Sequence, residues 1–152
     1  MSVNRDLIDL LAEFNAQGVE FLIVGAHALA VHGHVRATKD LDVWIRADAA
    51  NAPRVFDALV AFGAPLQDLT VRDLAEPGLI FQIGVPPLRV DVITAIDGVD
   101  FSAAWVDRVL VSLDGTPVPV ISRRHLIENK KASGRLQDLA DVERLEANEG
   151  QE

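Results

Sequence analysis

"VRATKDLDVWIRAD", residues 35–48, is the stretch on which the reading of this chain turns. Leu41, Val43, Trp44 and Ile45 form an apolar, strand-like run, yet Asp40 and Asp42 stand at its entrance. On a strand, residues i and i+2 point to the same face, so the two carboxylates project together with Cα atoms about 7 Å apart. Like charges that close are unfavourable unless a cation lies between them. Oxygen ligands select a hard divalent ion, Mg2+ or Mn2+. The competing reading is a solvent-exposed strand end whose two carboxylates are simply hydrated.

The flanks bear on that choice. Upstream, "VEFLIV" (19–24) predicts a buried strand ending at Gly25, and "AHALAVHG" a short helix of small residues closed by Gly33. Glycine lets the backbone approach a ligand closely, and a helix start offers unpaired N–H groups that favour phosphate. Downstream, "LRVDVITAI" (88–96) sets Asp91 between Val90 and Val92 inside an apolar strand. A charge there is costly unless it is paired or used. Carboxylates on two strands, beside a helix start suited to phosphate, point to two-metal phosphoryl transfer.

The remaining chain supplies a frame. "RDLIDLLAEFNAQG" places Leu7, Ile8, Leu10, Leu11 and Phe14 at helical spacing, with Gly18 as the stop. "KDLDVWIRA" is the second strand. Asp48 is the expected N-cap of a helix through "AANAPRVFDALVAFG", with Pro53 in its first turns. Residues 64–78 read as loop with one helical turn. "LIFQIG" and "LRVDVITAI" read as strands joined around Pro86 and Pro87. "FSAAWVDR" predicts a short helix, and Asp114-Gly115 within "VLVSLDGTPVPVI" a hairpin. Ser122 caps a helix through "RRHLIENKKASG", and "LQDLADVERLEANE" is a last amphipathic helix. The order predicts an α+β fold: a mixed β-sheet with helices packed mainly on one face. The expected organisation is a single domain over 1–152, with C-terminal helices 122–147 packed on it.

Composition sets limits. Of 152 residues, 49% are hydrophobic and none is cysteine, which excludes disulfides and thiolate metal sites. No run approaches the roughly 20 apolar residues of a membrane helix. The first residues do not pattern as a signal peptide, and the expected location is cytoplasmic. The net charge is −9, from 14 basic and 23 acidic residues. Such a surface repels nucleic acid unless a basic patch or a metal intervenes.

"FLIVGAHALAVHGHVRATKDLDVWI", with "RVDVI" further on, resembles the minimal nucleotidyltransferases of the DNA polymerase β superfamily. Their signature is a strand, a Gly-Gly or Gly-Ser helix start, D-x-D, then a third Asp on a later strand. "LIENKKASGRLQDLADVERL" resembles the tail of the small bacterial branch, which includes abortive-infection, toxin–antitoxin and lincosamide-type nucleotidyltransferases. The resemblance implies a polymerase β-like fold and transfer of an NMP from an NTP to a hydroxyl, with release of pyrophosphate. It implies that Gly25 and the Ala26 backbone line the triphosphate. Asp40 and Asp42 hold Mg2+ (or Mn2+) on the NTP, and Asp91 completes the metal site and helps deprotonate the acceptor. Ala26 stands where many members have Ser or Gly and loses any hydroxyl contact to phosphate, worth about 0.5–1.5 kcal/mol. That departure motivates a second reading, a weak or inactive module acting as an antitoxin-like or regulatory partner. A third is an antibiotic-modifying enzyme.

Other residues carry weaker signals. Arg36 and Thr38 are expected to contact substrate or triphosphate, against a plain role offsetting nearby carboxylates; Lys39 alternates away from Asp40 and Asp42. Lys130 or Lys131 suits the β- and γ-phosphates, and the family tail favours Lys131, with Asp138 pairing these cations. His27, His32 and His34 lack zinc spacing and read mainly as hydrogen-bonding groups. Trp44 and Trp105 read as core before base-stacking. The acceptor (a tRNA, a protein or a small molecule), the preferred NTP and any toxin–antitoxin partner are not legible, and a homodimer is the default assembly.

Overall fold

The computed structural model describes residues 5–33, 40–84 and 89–147. Arg36, Thr38, Lys39, His34 and the Pro86-Pro87 link fall outside these residues.

The chain runs α1 (Arg5–Ala16), β1 (Phe21–Val24), α2 (Gly25–Val31), β2 (Asp40–Ile45), α3 (Ala52–Phe62), α4 (Val71–Leu74), β3 (Ile80–Ile83), β4 (Arg89–Ile93), α5 (Phe101–Val106), β5 (Val109–Leu113), β6 (Thr116–Val120), α6 (Arg123–Ser133) and α7 (Leu136–Ala147). The strands form one six-stranded sheet in the order β3-β4-β2-β1-β6-β5. β2 runs antiparallel to β1 and parallel to β4, and β1 runs parallel to β6, so the sheet is mixed as expected.

Alternation along β2 decides which side of the sheet is core. Leu41, Val43 and Ile45 are fully buried. Ile45 pairs with Phe21, and the Phe21 ring meets Phe14 of α1 edge-on at 5.3 Å. That face therefore lies under α1, and α3 packs beside α1. Asp40, Asp42 and Trp44 turn to the opposite face. There Trp44 is buried beneath Phe101 of α5, with ring centroids 4.9 Å apart. The indole is core rather than a stacking platform.

The turns follow local chemistry. Asp114 and Gly115 both take positive φ (49° and 89°), the backbone of a tight hairpin turn whose twist suits the flanking strands. Ser122 accepts the His125 N–H and starts α6 as expected. The entry to α3 differs slightly from expectation. Asp48 Oδ1 accepts the Asn51 N–H at 2.7 Å, but α3 proper begins at Ala52. The buried Asn51 side chain is used across the fold instead. Its Oδ1 accepts from the Glu20 N–H at 2.8 Å, and its Nδ2 donates to the carbonyls of Glu20 and Arg46 at 3.0 and 2.9 Å. Asn51 thus pins α3 to the adjoining ends of β1 and β2. Among the described residues no helix is long and apolar enough to cross a membrane.

Asn51→Ala removes one acceptor and one donor and leaves backbone groups at the β1 and β2 ends unsatisfied. Each such group costs about 1–3 kcal/mol. Chemical denaturation of this variant is expected to read a loss of about 2–4 kcal/mol with an unchanged m-value.

Candidate active site

Strand pairing brings the acidic residues together. β2 and β4 are parallel neighbours in a register that sets Asp42 opposite Asp91 and Asp40 opposite Arg89. Paired strands lie about 4.8 Å apart, so Asp42 and Asp91 are closer to one another than Asp40 is to Asp42 along β2. The expected triad thus shares one face of two adjoining central strands.

Gly25 closes the site from the β1 side. It follows Val24, the register partner of Asp42, and takes φ +69°. A Cβ at Gly25 would overlap Asp42 Oδ2. Glycine is needed here twice, for the left-handed backbone and for the space the carboxylate fills. Ala26 follows in the first turn of the seven-residue α2, and His27 next to it is buried. Burial lowers the His27 pKa, against a hydrogen bond to the Asp40 backbone and the Asp40 charge. Its buried Nδ1 has no hydrogen-bond partner among the described residues.

The charges are unevenly compensated. Asp91 is held by Arg89, whose Nε and Nη2 reach its two oxygens at 3.1 and 3.2 Å. Asp42 is pushed up to about 6, first by burial and then by the charges of Asp91 and Asp40. Arg89 and Lys130 oppose that rise without cancelling it. Sequence reasoning did not single out Arg89. Its signal was its position two residues before Asp91, hence on the same strand face.

The lysines of α6 part company. Lys130 is buried, and its Nζ donates to Asp138 at 3.2 Å and Asp141 at 3.0 Å on α7. Burial pushes the Asp138 carboxyl up, but hydrogen bonds from Ser133, Arg135 and Lys130 outweigh it and hold it below its ordinary value. Asp138 therefore pairs with Lys130 and Arg135 as expected, but not with Lys131. Lys131 points elsewhere, pairing with Glu146 at 3.0 Å on an exposed surface.

The donor set suits a hard divalent cation in chemistry: three carboxylates, oxygen only, with Asp42 short of positive charge. Among the described residues, however, no group of three or more His, Cys, Asp or Glu side chains is arranged to hold a metal. Arg89 occupies Asp91 in this arrangement.

Two measurements probe the site without any ligand. Gly25→Ala is expected to lose about 1–2 kcal/mol from the left-handed backbone alone, and more from displacement of Asp42, read by denaturation. For Asp42, the raised value in the folded chain means that the fold favours the protonated form. Stability is then full below the ordinary value of 3.8 and falls as pH rises through about 6. In chelator, Asp42→Asn is expected to be more stable than the native chain by on the order of 3 kcal/mol at pH 7.5, with the gap closing near pH 4.

No family model matches the chain, and no curated protein is similar to it. Solved structures are similar. That of the lincosamide antibiotic adenylyltransferase LnuA, bound to lincomycin, has a TM-score of 0.60 at 14% identity, over 97% of this chain and 98% of that one. The antibiotic-resistance factor ANT(2'')-Ia has a TM-score of 0.59 at 13% identity, over 99% of this chain and 91% of that one. An antigenic nucleotidyltransferase-like protein from Paracoccidioides brasiliensis has a TM-score of 0.54 at 15% identity, over 91% and 73%. With this likeness across nearly its whole length, the chain shares the fold of these nucleotidyltransferases, a mixed six-stranded sheet with helices.

Proposed function

We propose that this chain is a metal-dependent nucleotidyltransferase that moves an NMP from an NTP to a hydroxyl acceptor. The observation that carries the reading is the register that gathers Asp40, Asp42 and Asp91 on one face, with Gly25 shaped to Asp42. Mg2+ or Mn2+ held by these three carboxylates would neutralise phosphate charge and polarise the reacting phosphoryl group.

The chain's own groups bind and orient. The Gly25-Ala26 turn lines the triphosphate, and Arg36 and Thr38 contact it or the acceptor. Of the two lysines, the exposed Lys131 is assigned to the phosphate chain, leaving Glu146 to bind there. Lys130 is buried and held by Asp138 and Asp141, and its charge acts on Asp42 from a fixed position. The acceptor oxygen forms its bond to the α-phosphorus in line with the departing oxygen. The bond from the α-phosphorus to the bridging oxygen breaks, and pyrophosphate leaves. Asp91, opposite Asp42, takes the hydroxyl proton.

A small-molecule acceptor of the antibiotic type is a second reading, supported by the likeness to LnuA and ANT(2'')-Ia. A cavity of about 290 Å³ lies farther along β2, lined by Trp44, Arg46, Thr94, Asp100, Phe101 and Ser102 and by none of the three carboxylates.

The test is transfer of label from α-labelled NTPs to a panel of acceptors, antibiotics included, with Mg2+ or Mn2+. Asp40→Asn, Asp42→Asn and Asp91→Asn are each expected to cut transfer by about 100-fold or more while the circular dichroism spectrum stays native. An Asp42→Asn variant with undiminished transfer would sink the proposal. Native protein that binds no NTP with Mg2+ but co-purifies with one partner would favour a regulatory module instead.

A further inference from the structure

The strand that carries Asp91 also carries its counter-ion. Arg89 and Asp91 lie two residues apart on one face of β4, and the guanidinium takes both Asp91 oxygens in a fork. The register sets Arg89 beside Asp40 as it sets Asp91 beside Asp42. One fixed positive charge thus stands among the carboxylates a metal would need. Hydrogen bonding to Asp91, and then the charges of Asp91, Asp40 and Asp42, outweigh partial burial and raise the Arg89 guanidinium above its already high ordinary value.

This arrangement creates a conflict. A divalent ion that takes Asp91 as ligand meets the guanidinium a few ångströms away, where like charges repel strongly. Arginine cannot relieve that repulsion by losing a proton. It can relieve it by moving to another anion. Phosphate offers the same bidentate geometry as carboxylate. The Arg89 side chain is 30% exposed, so neighbouring side chains do not enclose it.

We propose that Arg89 is a resident counter-cation that a divalent metal displaces from Asp91, and that the released guanidinium then binds a phosphate of the incoming nucleotide. The inference rests on the nucleotidyltransferase reading and adds a residue and an order of events to it. Metal entry and phosphate entry are coupled through one side chain. Without phosphate, Arg89 holds metal affinity down; without metal, Asp91 withholds Arg89 from phosphate. A merely structural pair, bracing β4, has neither property.

Two measurements on the full chain decide it. The first titrates Mn2+ without nucleotide and follows the paramagnetic resonance signal of the free ion, for the native chain, Arg89→Gln and Asp42→Asn. Arg89→Gln is expected to bind Mn2+ about tenfold more tightly than the native chain. The second follows the Arg89 Nε–H resonance of the native protein by NMR and needs no variant to fold. It is expected to move on addition of Mg2+ and to move again with inorganic tripolyphosphate. Asp42-dependent Mn2+ binding that Arg89→Gln leaves unchanged or weakens overturns the inference alone. So does an Arg89 resonance unmoved by bound Mg2+. Mn2+ binding absent from native chain and Arg89→Gln alike, or indifferent to Asp42→Asn, overturns the metal reading and this inference with it.

Discussion

Parallel pairing of β2 with β4 puts Asp42 opposite Asp91 and Asp40 opposite Arg89, and a slip of one residue would turn all four to different surroundings. The register is held by the other face. Leu41, Val43, Val90 and Val92 alternate with the charged residues and are almost wholly buried. Burying each such side chain is worth roughly 1.5–3 kcal/mol. Four of them outweigh the cost of holding Asp42 buried and beside Asp91 and Asp40, which its displaced titration puts at about 3 kcal/mol. The core therefore holds together an acidic cluster that would not assemble on its own account. Gly25 completes the constraint by leaving Asp42 the room that any other residue would fill.

The α6–α7 pair solves a related problem in reverse. Lys130 is buried, which costs several kcal/mol for an unpaired ammonium. Asp138 and Asp141 both accept from it, and Ser133 and Arg135 return hydrogen bonds to Asp138. Removing one member would leave an uncompensated buried charge, the costly case for such clusters. Position is what the arrangement secures. A long, flexible side chain is fixed where its field reaches Asp42. Lys131, one residue on, is turned about 100° around the helix and meets Glu146 at the surface.

That contrast explains what the sequence could reveal. Strand periodicity is two, so D-x-D and a lone Asp between valines announce a shared charged face without any knowledge of tertiary structure. The glycine before the helix was legible for the same reason, since its neighbours are a strand and a run of small residues. Adjacent lysines on a helix are harder. Which one points inward depends on a partner helix beginning several residues later, and local pattern does not encode that docking. Arg89 was overlooked because a charge at a strand's first residue looks like ordinary solvation. Its meaning lies two residues on, in Asp91 on the same strand face, whose two oxygens it takes. The helix entry at Asp48 illustrates the smaller error. Asp48 does cap a turn, but Asn51 is drawn into bonds with β1 and β2 and the helix proper starts after it.

Charge also bears on what the site can accept. The chain is at −9, and a nucleotide triphosphate adds more negative charge to an already acidic face. For the proposed transfer, cations would have to be supplied locally, by a bound metal and by Arg89, with the field of Lys130 behind them. The other basic cluster, around Arg123, Arg124 and Lys131 on α6, lines a separate hollow, and it is partly neutralised from within. Arg124 pairs with Asp107 at 2.7 Å, and Lys131 pairs with Glu146. A long polyanion would have to displace these partners and then run along a surface that repels it. A small hydroxyl acceptor faces neither obstacle, because it brings little charge and needs only the neighbourhood of the carboxylates. For the proposed transfer, the electrostatics thus favour a small, weakly charged acceptor over a long polyanion.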